Sequence, residues 1–118
     1  MGRIKTLKDL LVDELGVETF ERETVGQAGL ASALILRQNP NRVAFIVVNL
    51  SVNTLYMAVR GLASATRGIR LGPSGGSLSV FYRDDLILPA REWQAIATAA
   101  ASDYYVLEVL ILGGEGKP

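Results

Sequence analysis

The spacing of apolar residues along this chain changes from helical to alternating near residue 16. Before that point Leu7, Leu10, Leu11 and Leu15 recur at helical spacing. Thr6 stands where a cap belongs, Asp9 follows three residues later, and Gly16 can end the helix. The pattern predicts one short helix, Thr6 to Leu15, whose single apolar stripe must dock either on its own domain or on a neighbouring subunit. Beyond Gly16 the period is two. Val17 to Val25 predicts an extended segment, Gly26 to Gly29 a break, Leu30 to Arg37 a strand, and Gln38-Asn39-Pro40-Asn41 a turn. Arg42 to Leu50 carries Val43, Ala44, Phe45, Ile46, Val47 and Val48, apolar on both faces, which predicts a central strand covered on both sides. Further strands are predicted over residues 54–60, 68–71, 77–82, 86–88, 93–97 and 104–112. The strongest break between them is Gly72-Pro73-Ser74-Gly75-Gly76.

About eight short strands with a turn signal every eight to twelve residues or so are the mark of an all-β sandwich or barrel. The expected fold is a jelly-roll-like antiparallel β-sandwich with one N-terminal α-helix. The chain divides into a helix or arm over 1–16, the sandwich over 17–113 and a polar tail over 114–118.

Composition sharpens this picture. At 118 residues the chain is one domain. It is 49% hydrophobic and 20% charged, with a mean hydropathy of +0.27. A domain this small leaves much of its surface in water, so surplus apolar side chains point to a subunit interface and a homo-oligomer. Formal net charge is zero, which argues against capture of nucleic acid or of an anionic membrane. Cys and His are both absent. That removes disulfides, thiolate nucleophiles, the commonest general base and the commonest transition-metal ligands. No catalytic residue, metal site or cofactor is expected, and no enzymatic activity. A cupin-like enzyme ranks last for the same reason. No apolar run reaches the ~18–20 residues of a spanning helix, and the N-terminus does not look like a secretory signal. Arg outnumbers Lys nine to three, a bias shared by thermophiles and GC-rich genomes.

Few residues offer chemistry. Gly72 to Gly76 lacks the Lys of a phosphate-binding loop and predicts a hairpin turn. Asp84, Asp85 and Glu92 could supply oxygen ligands to calcium, or the paired carboxylates of a glycosidase, but no spacing motif supports either; a solvated loop is the simpler expectation. Trp93 belongs to the core or to a subunit contact. Glu108 interrupts an apolar face and needs a partner, with Arg42, Arg60 and Arg70 as candidates. Asn49-Leu50-Ser51 matches the N-glycosylation pattern without a secretory context. Phe45, Val47, Trp93 and Glu108 are assigned to the oligomer interface, and Leu7, Leu10, Leu11 and Leu15 to arm docking.

One run of phrases is similar to small β-sandwich proteins from the structural gene blocks of tailed bacteriophages. It comprises Arg42 to Ser51, Thr54-Leu55-Tyr56-Met57, Gly68 to Gly76, Trp93 to Ala97 and Val106 to Leu110. The resemblance covers somewhat over half the chain and rests on turn and core residues. It implies a virion component: a decoration (cement) protein, a minor capsid protein or a head-fibre module. Its partners would be copies of itself, with a trimer favoured, and the major capsid protein. The alternative is a carbohydrate- or receptor-binding module of a phage fibre or tail.

Overall fold

The structure, a computed structural model, describes residues 6, 7, 16 and 18–112. Eight strands make up most of it: β1 (Thr19–Ala28), β2 (Ala33–Leu36), β3 (Arg42–Asn49), β4 (Leu55–Val59), β5 (Ile69–Leu71), β6 (Ser77–Phe81), β7 (Trp93–Ala97) and β8 (Ser102–Ile111). A single helical turn, α1 (Tyr82–Asp85), and a 3-10 turn (Leu88–Ala90) lie between β6 and β7. The strands pair antiparallel into two four-stranded sheets, in the orders β1-β8-β3-β6 and β2-β7-β4-β5. The fold is an all-β sandwich, as the alternation predicts. Among consecutive strands only β4 and β5 pair with each other; every other connection passes from one sheet to the other.

Period two sends alternate side chains into the gap between the sheets. From the first sheet come Phe45, Val47, Val80, Tyr104, Val106 and Leu110, and from the second Leu36, Leu55, Met57, Leu71, Trp93 and Ala95, all buried. Phe45 and Trp93 meet edge to face across the gap, with ring centroids 5.4 Å apart. The indole Nε1 donates to the Leu88 carbonyl at 3.1 Å, so the buried ring keeps its polar handle satisfied.

Three local expectations change. The Gly26–Gly29 break is instead the end of β1, which pairs with β8 without interruption from Thr19↔Ile111 to Ala28↔Ser102. Gly26 sits opposite Tyr104, and a Cβ there would lie 2.6 Å from the phenol oxygen. Glycine in a strand here gives the Tyr104 ring room to lie on the β1 backbone. Gly26→Ala should therefore cost about 1–3 kcal/mol through overpacking. Paired urea melts test the cause: in a Tyr104→Ala background the same change should cost close to nothing, and an equal cost in both backgrounds would rule out the ring contact. The predicted strand over Leu86 to Leu88 is replaced by the turn that follows α1 and by the start of the 3-10 turn. The Asp85 carboxylate holds α1 by accepting from the Phe81 backbone N–H at 3.0 Å, and Pro89 within the 3-10 turn has no N–H to offer a strand ladder. Finally, Gly72 to Gly76 is no hairpin turn. It carries the chain from β5 in one sheet to β6 in the other.

Of the predicted N-terminal helix, Leu10, Leu11 and Leu15 lie outside the described residues, as does the tail over 114–118. Leu7 is described and is 70% exposed.

Candidate functional site

A β-bulge creates the most unusual polar feature. β3 pairs with β8 as Phe45↔Glu108, Val47↔Val106 and Asn49↔Tyr104, which sends odd-numbered β3 residues inward. The register then shifts between Ala44 and Arg42, so Arg42 stands opposite inward-facing Leu110. A regular strand would turn Arg42 out to solvent; the extra residue turns it in.

Inside, Arg42 makes four hydrogen bonds. Nε donates to the Pro89 carbonyl at 2.7 Å, Nη1 to Glu108 Oε2 at 2.8 Å, and Nη2 to the carbonyls of Arg37 at 2.8 Å and Arg91 at 2.9 Å. Its guanidinium also lies 5.9 Å from the centroid of the Phe45 ring. One side chain thus ties the β2–β3 turn, the 3-10 turn, the lead into β7 and β8 together. Glu108 has a second partner, Arg22 on the edge strand β1, whose Nε donates to Oε1 at 3.1 Å and Nη2 to Oε2 at 3.3 Å. The side chains of Arg42 and Glu108 are 1% and 4% exposed, and that of Arg22 is 53% exposed. Burial pulls the Arg42 pKa down, against the pull of Glu108, while the hydrogen bonds to Glu108 push that of half-solvated Arg22 up. Both guanidinium groups stay charged, since Arg is not deprotonated in proteins. Arg60 and Arg70, the other candidate partners, are exposed and take no part.

The cluster borders an open cleft of about 480 Å³ between the edge strands β1 and β2. Arg22, Thr24, Ile35, Arg37, Gln38 and Asn39 also line it. Both Glu108 oxygens and most Arg42 donors are engaged within the chain, which makes the cluster a clamp that closes this end of the sandwich. Asp84, Asp85 and Glu92 form no metal-holding group; among the described residues no such cluster of acidic side chains exists.

A second polar hub holds the opposite end. Asn49 is fully buried. Its amide nitrogen donates to the carbonyls of Asn53, Leu71 and Gly72 at 2.7–3.1 Å, and its oxygen accepts from the Ser51 N–H and hydroxyl at 2.9 and 2.7 Å. Its backbone exchanges further bonds with Gly75 and Gly76. The Asn-x-Ser phrase is thus an Asx turn clasped to the Gly-rich crossover. No glycan could reach this side chain in the folded chain. A Cβ at Gly76 would collide with the Gly72 backbone, so the crossover needs glycine there.

Phe45, Val47, Trp93 and Glu108 were expected at an oligomer interface and instead lie inside one chain, each 3% exposed or less. The two-sided apolar strand does have a second face, but other residues form it. Ala44, Ile46 and Val48 on β3, with Tyr105, Leu107, Val109 and Ile111 on β8, point away from the core and are only half-buried. Val25 on β1 and Phe81 on β6 extend the same face. The β1 edge adds Glu21 and Glu23. An antiparallel sheet with one face in water ordinarily makes that face polar; here its two central strands do not. The outer face of the second sheet is mixed, with Tyr56, Ala58, Arg70, Gln94 and Ile96.

No protein-family model matches the chain, and no curated protein matches it. Among solved structures, one described by the words "Bacillus endospore appendages form a novel family of disulfide-linked pili" is similar at 17% identity. The match covers 82% of this chain and 89% of that one, with a TM-score of 0.47. This is a partial likeness of fold, and no function passes between the two chains on it.

Proposed function

We propose that this chain is a non-enzymatic structural protein that acts by assembling with copies of itself, most simply as a trimer. One observation carries the reading: the outward side chains run apolar from Ala44 to Val48 on β3 and from Tyr105 to Ile111 on β8, where a solvated sheet would be polar. The finer reading is a virion component, a capsid decoration or minor capsid protein docking on the major capsid protein. The strand orders β1-β8-β3-β6 and β2-β7-β4-β5 support a jelly-roll arrangement, which capsid proteins share with lectins and cupins, so this part rests on fold-level analogy. A carbohydrate- or receptor-binding role would draw on the polar cleft beside Arg22, but no aromatic ring lines that cleft and Trp93 is buried. Light scattering tests the self-assembly. At micromolar concentration the mass should be a multiple of 12.7 kDa, and mixing with a cognate capsid shell should deplete the free protein. A monomer that stays monomeric would overturn the proposal.

A further inference from the structure

We infer that the cleft between β1 and β2 is a binding site for a small oxyanion, a compound carrying carboxylate or phosphate groups. The inward positions of a sandwich strand ordinarily fill the core. On β1 these positions run Phe20, Arg22, Thr24 and Gly26, opposite Leu110, Glu108, Val106 and Tyr104 of β8. Arg22 and Thr24 thus stand on the core side of the strand and yet are exposed, because the edge strands part there around the open cleft of about 480 Å³. Small-molecule sites span about 300–1,000 Å³, so the cleft is large enough to enclose such a ligand. The inference stands apart from the self-assembly reading, for the cleft residues lie off the outer sheet face that carries that reading.

The lining is cationic and rich in donors. Arg22, Arg37 and Arg42 face one carboxylate, Glu108, so three cations against one anion leave an excess of two positive charges, in a chain whose formal net charge is zero. Arg42 is spent on the clamp, but the other two are not. Arg22 turns Nε and Nη2 to Glu108 and keeps Nη1 for a ligand. The Arg37 side chain is exposed and, among the described residues, holds no hydrogen bond or ion pair. Asn39 commits its side-chain oxygen to the Asn41 N–H at 2.9 Å, which leaves its amide nitrogen as a further donor. The rim is fixed before any ligand arrives: the Arg37 carbonyl accepts from Arg42 Nη2 at 2.8 Å, and the Asn39 N–H donates to the Ala90 carbonyl at 2.9 Å. Guanidinium forks match the paired oxygens of carboxylate and phosphate. With no aromatic ring in the lining to stack on a neutral sugar, charge selects the ligand.

Nuclear magnetic resonance titration of the full chain at low salt tests the site, with inorganic phosphate, citrate and glucuronate as separate probes. At least one should bind saturably, with a Kd on the order of 0.1–1 mM, and should move the amide signals of Thr24 and of residues 35–39. Citrate or glucuronate without phosphate identifies a carboxylate ligand, phosphate alone a phosphorylated one, and all three a site that reads charge only. Arg37→Gln should weaken binding at least about tenfold, through loss of a charge-assisted fork, with the spectrum of a folded chain retained. Arg22→Gln is the second variant and should weaken the same probe. Arg70→Gln removes an exposed arginine on the outer face of the other sheet and should change the Kd less than about twofold, since screening confines the effect of a distant charge. No saturable shift with any probe up to ~10 mM would overturn the site. So would shifts centred elsewhere, or equal losses from Arg37→Gln and Arg70→Gln.

Discussion

Arg42→Ala is expected to lower the unfolding free energy by about 3–5 kcal/mol, whereas Arg22→Ala should cost no more than about 1 kcal/mol. Both cations bind the same carboxylate, so the difference comes from burial. Arg42 is out of water and its loss leaves Glu108 with one half-solvated partner, together with the carbonyls of Pro89, Arg37 and Arg91 without their donor. Arg22 is half in solvent, where water and salt replace most of what it supplies. Glu108→Gln should resemble Arg42→Ala, because it leaves a buried guanidinium short of its counter-charge. For a domain of this size these losses correspond to a fall in melting midpoint on the order of 10–25 °C. Replacing both members, as Arg42→Met with Glu108→Leu, should recover part of the loss but not all, since the three carbonyls remain unanswered. Thermal and urea melts across the set decide the matter. Equal costs for Arg42→Ala and Arg22→Ala would show that the clamp is not a buried one.

Asn49→Asp should be the most damaging isosteric change in the chain, and its damage should grow with pH. The substitution keeps the shape and the oxygen that caps Ser51. It exchanges an amide donor aimed at three carbonyls for an acceptor. Once ionised, the new carboxylate is buried against like partial charges, so its folded pKa must rise above the unfolded value of about 3.9. A raised acid is favourable in its protonated form: that contribution is fully present below pH ~3.9 and is lost as pH climbs through the folded pKa. The variant should therefore lie closest to the parent in acid and fall several kcal/mol behind at neutral pH, on the order of 3–5 kcal/mol. Asn49→Ala should cost about 2–4 kcal/mol with little dependence on pH, from carbonyls left without a donor. Urea midpoints from pH 3.5 to 8 compare the two. A flat profile for Asn49→Asp would mean that water, rather than the clasp, serves these carbonyls in the folded chain.

The sequence by itself determined where most strands run. Alternation needs only near neighbours, and it placed β3, β4, β6, β7 and β8 within a residue or two. It also showed that β3 has two apolar faces and that Glu108 needs a cation. It could not show pairing. All but one of the strand-to-strand steps cross between sheets, and the partners of β1 and β3 lie on β8, far along the chain. For that reason Gly72 to Gly76 read as a hairpin, and Leu86 to Leu88, an apolar triplet, read as a strand. The interface residues were misplaced for a related reason. In a strand apolar on both faces, periodicity cannot tell the face that meets the other sheet from the face left outside. Packing alone chose Phe45 and Val47 for the interior and left Ile46 and Val48 outside. For two residues the tertiary structure decided the role. Asn49 matched a glycosylation pattern without a secretory context, and its role as a buried hub was illegible because the carbonyls of Leu71 and Gly72 that it holds lie far along the chain. Arg42 was legible as one of three candidate partners of Glu108, and the structure selects it over Arg60 and Arg70 through a bulge, which has no signature in residue type. One inserted residue reverses the phase of the pleat, and that reversal brings a guanidinium to Glu108, 66 residues away.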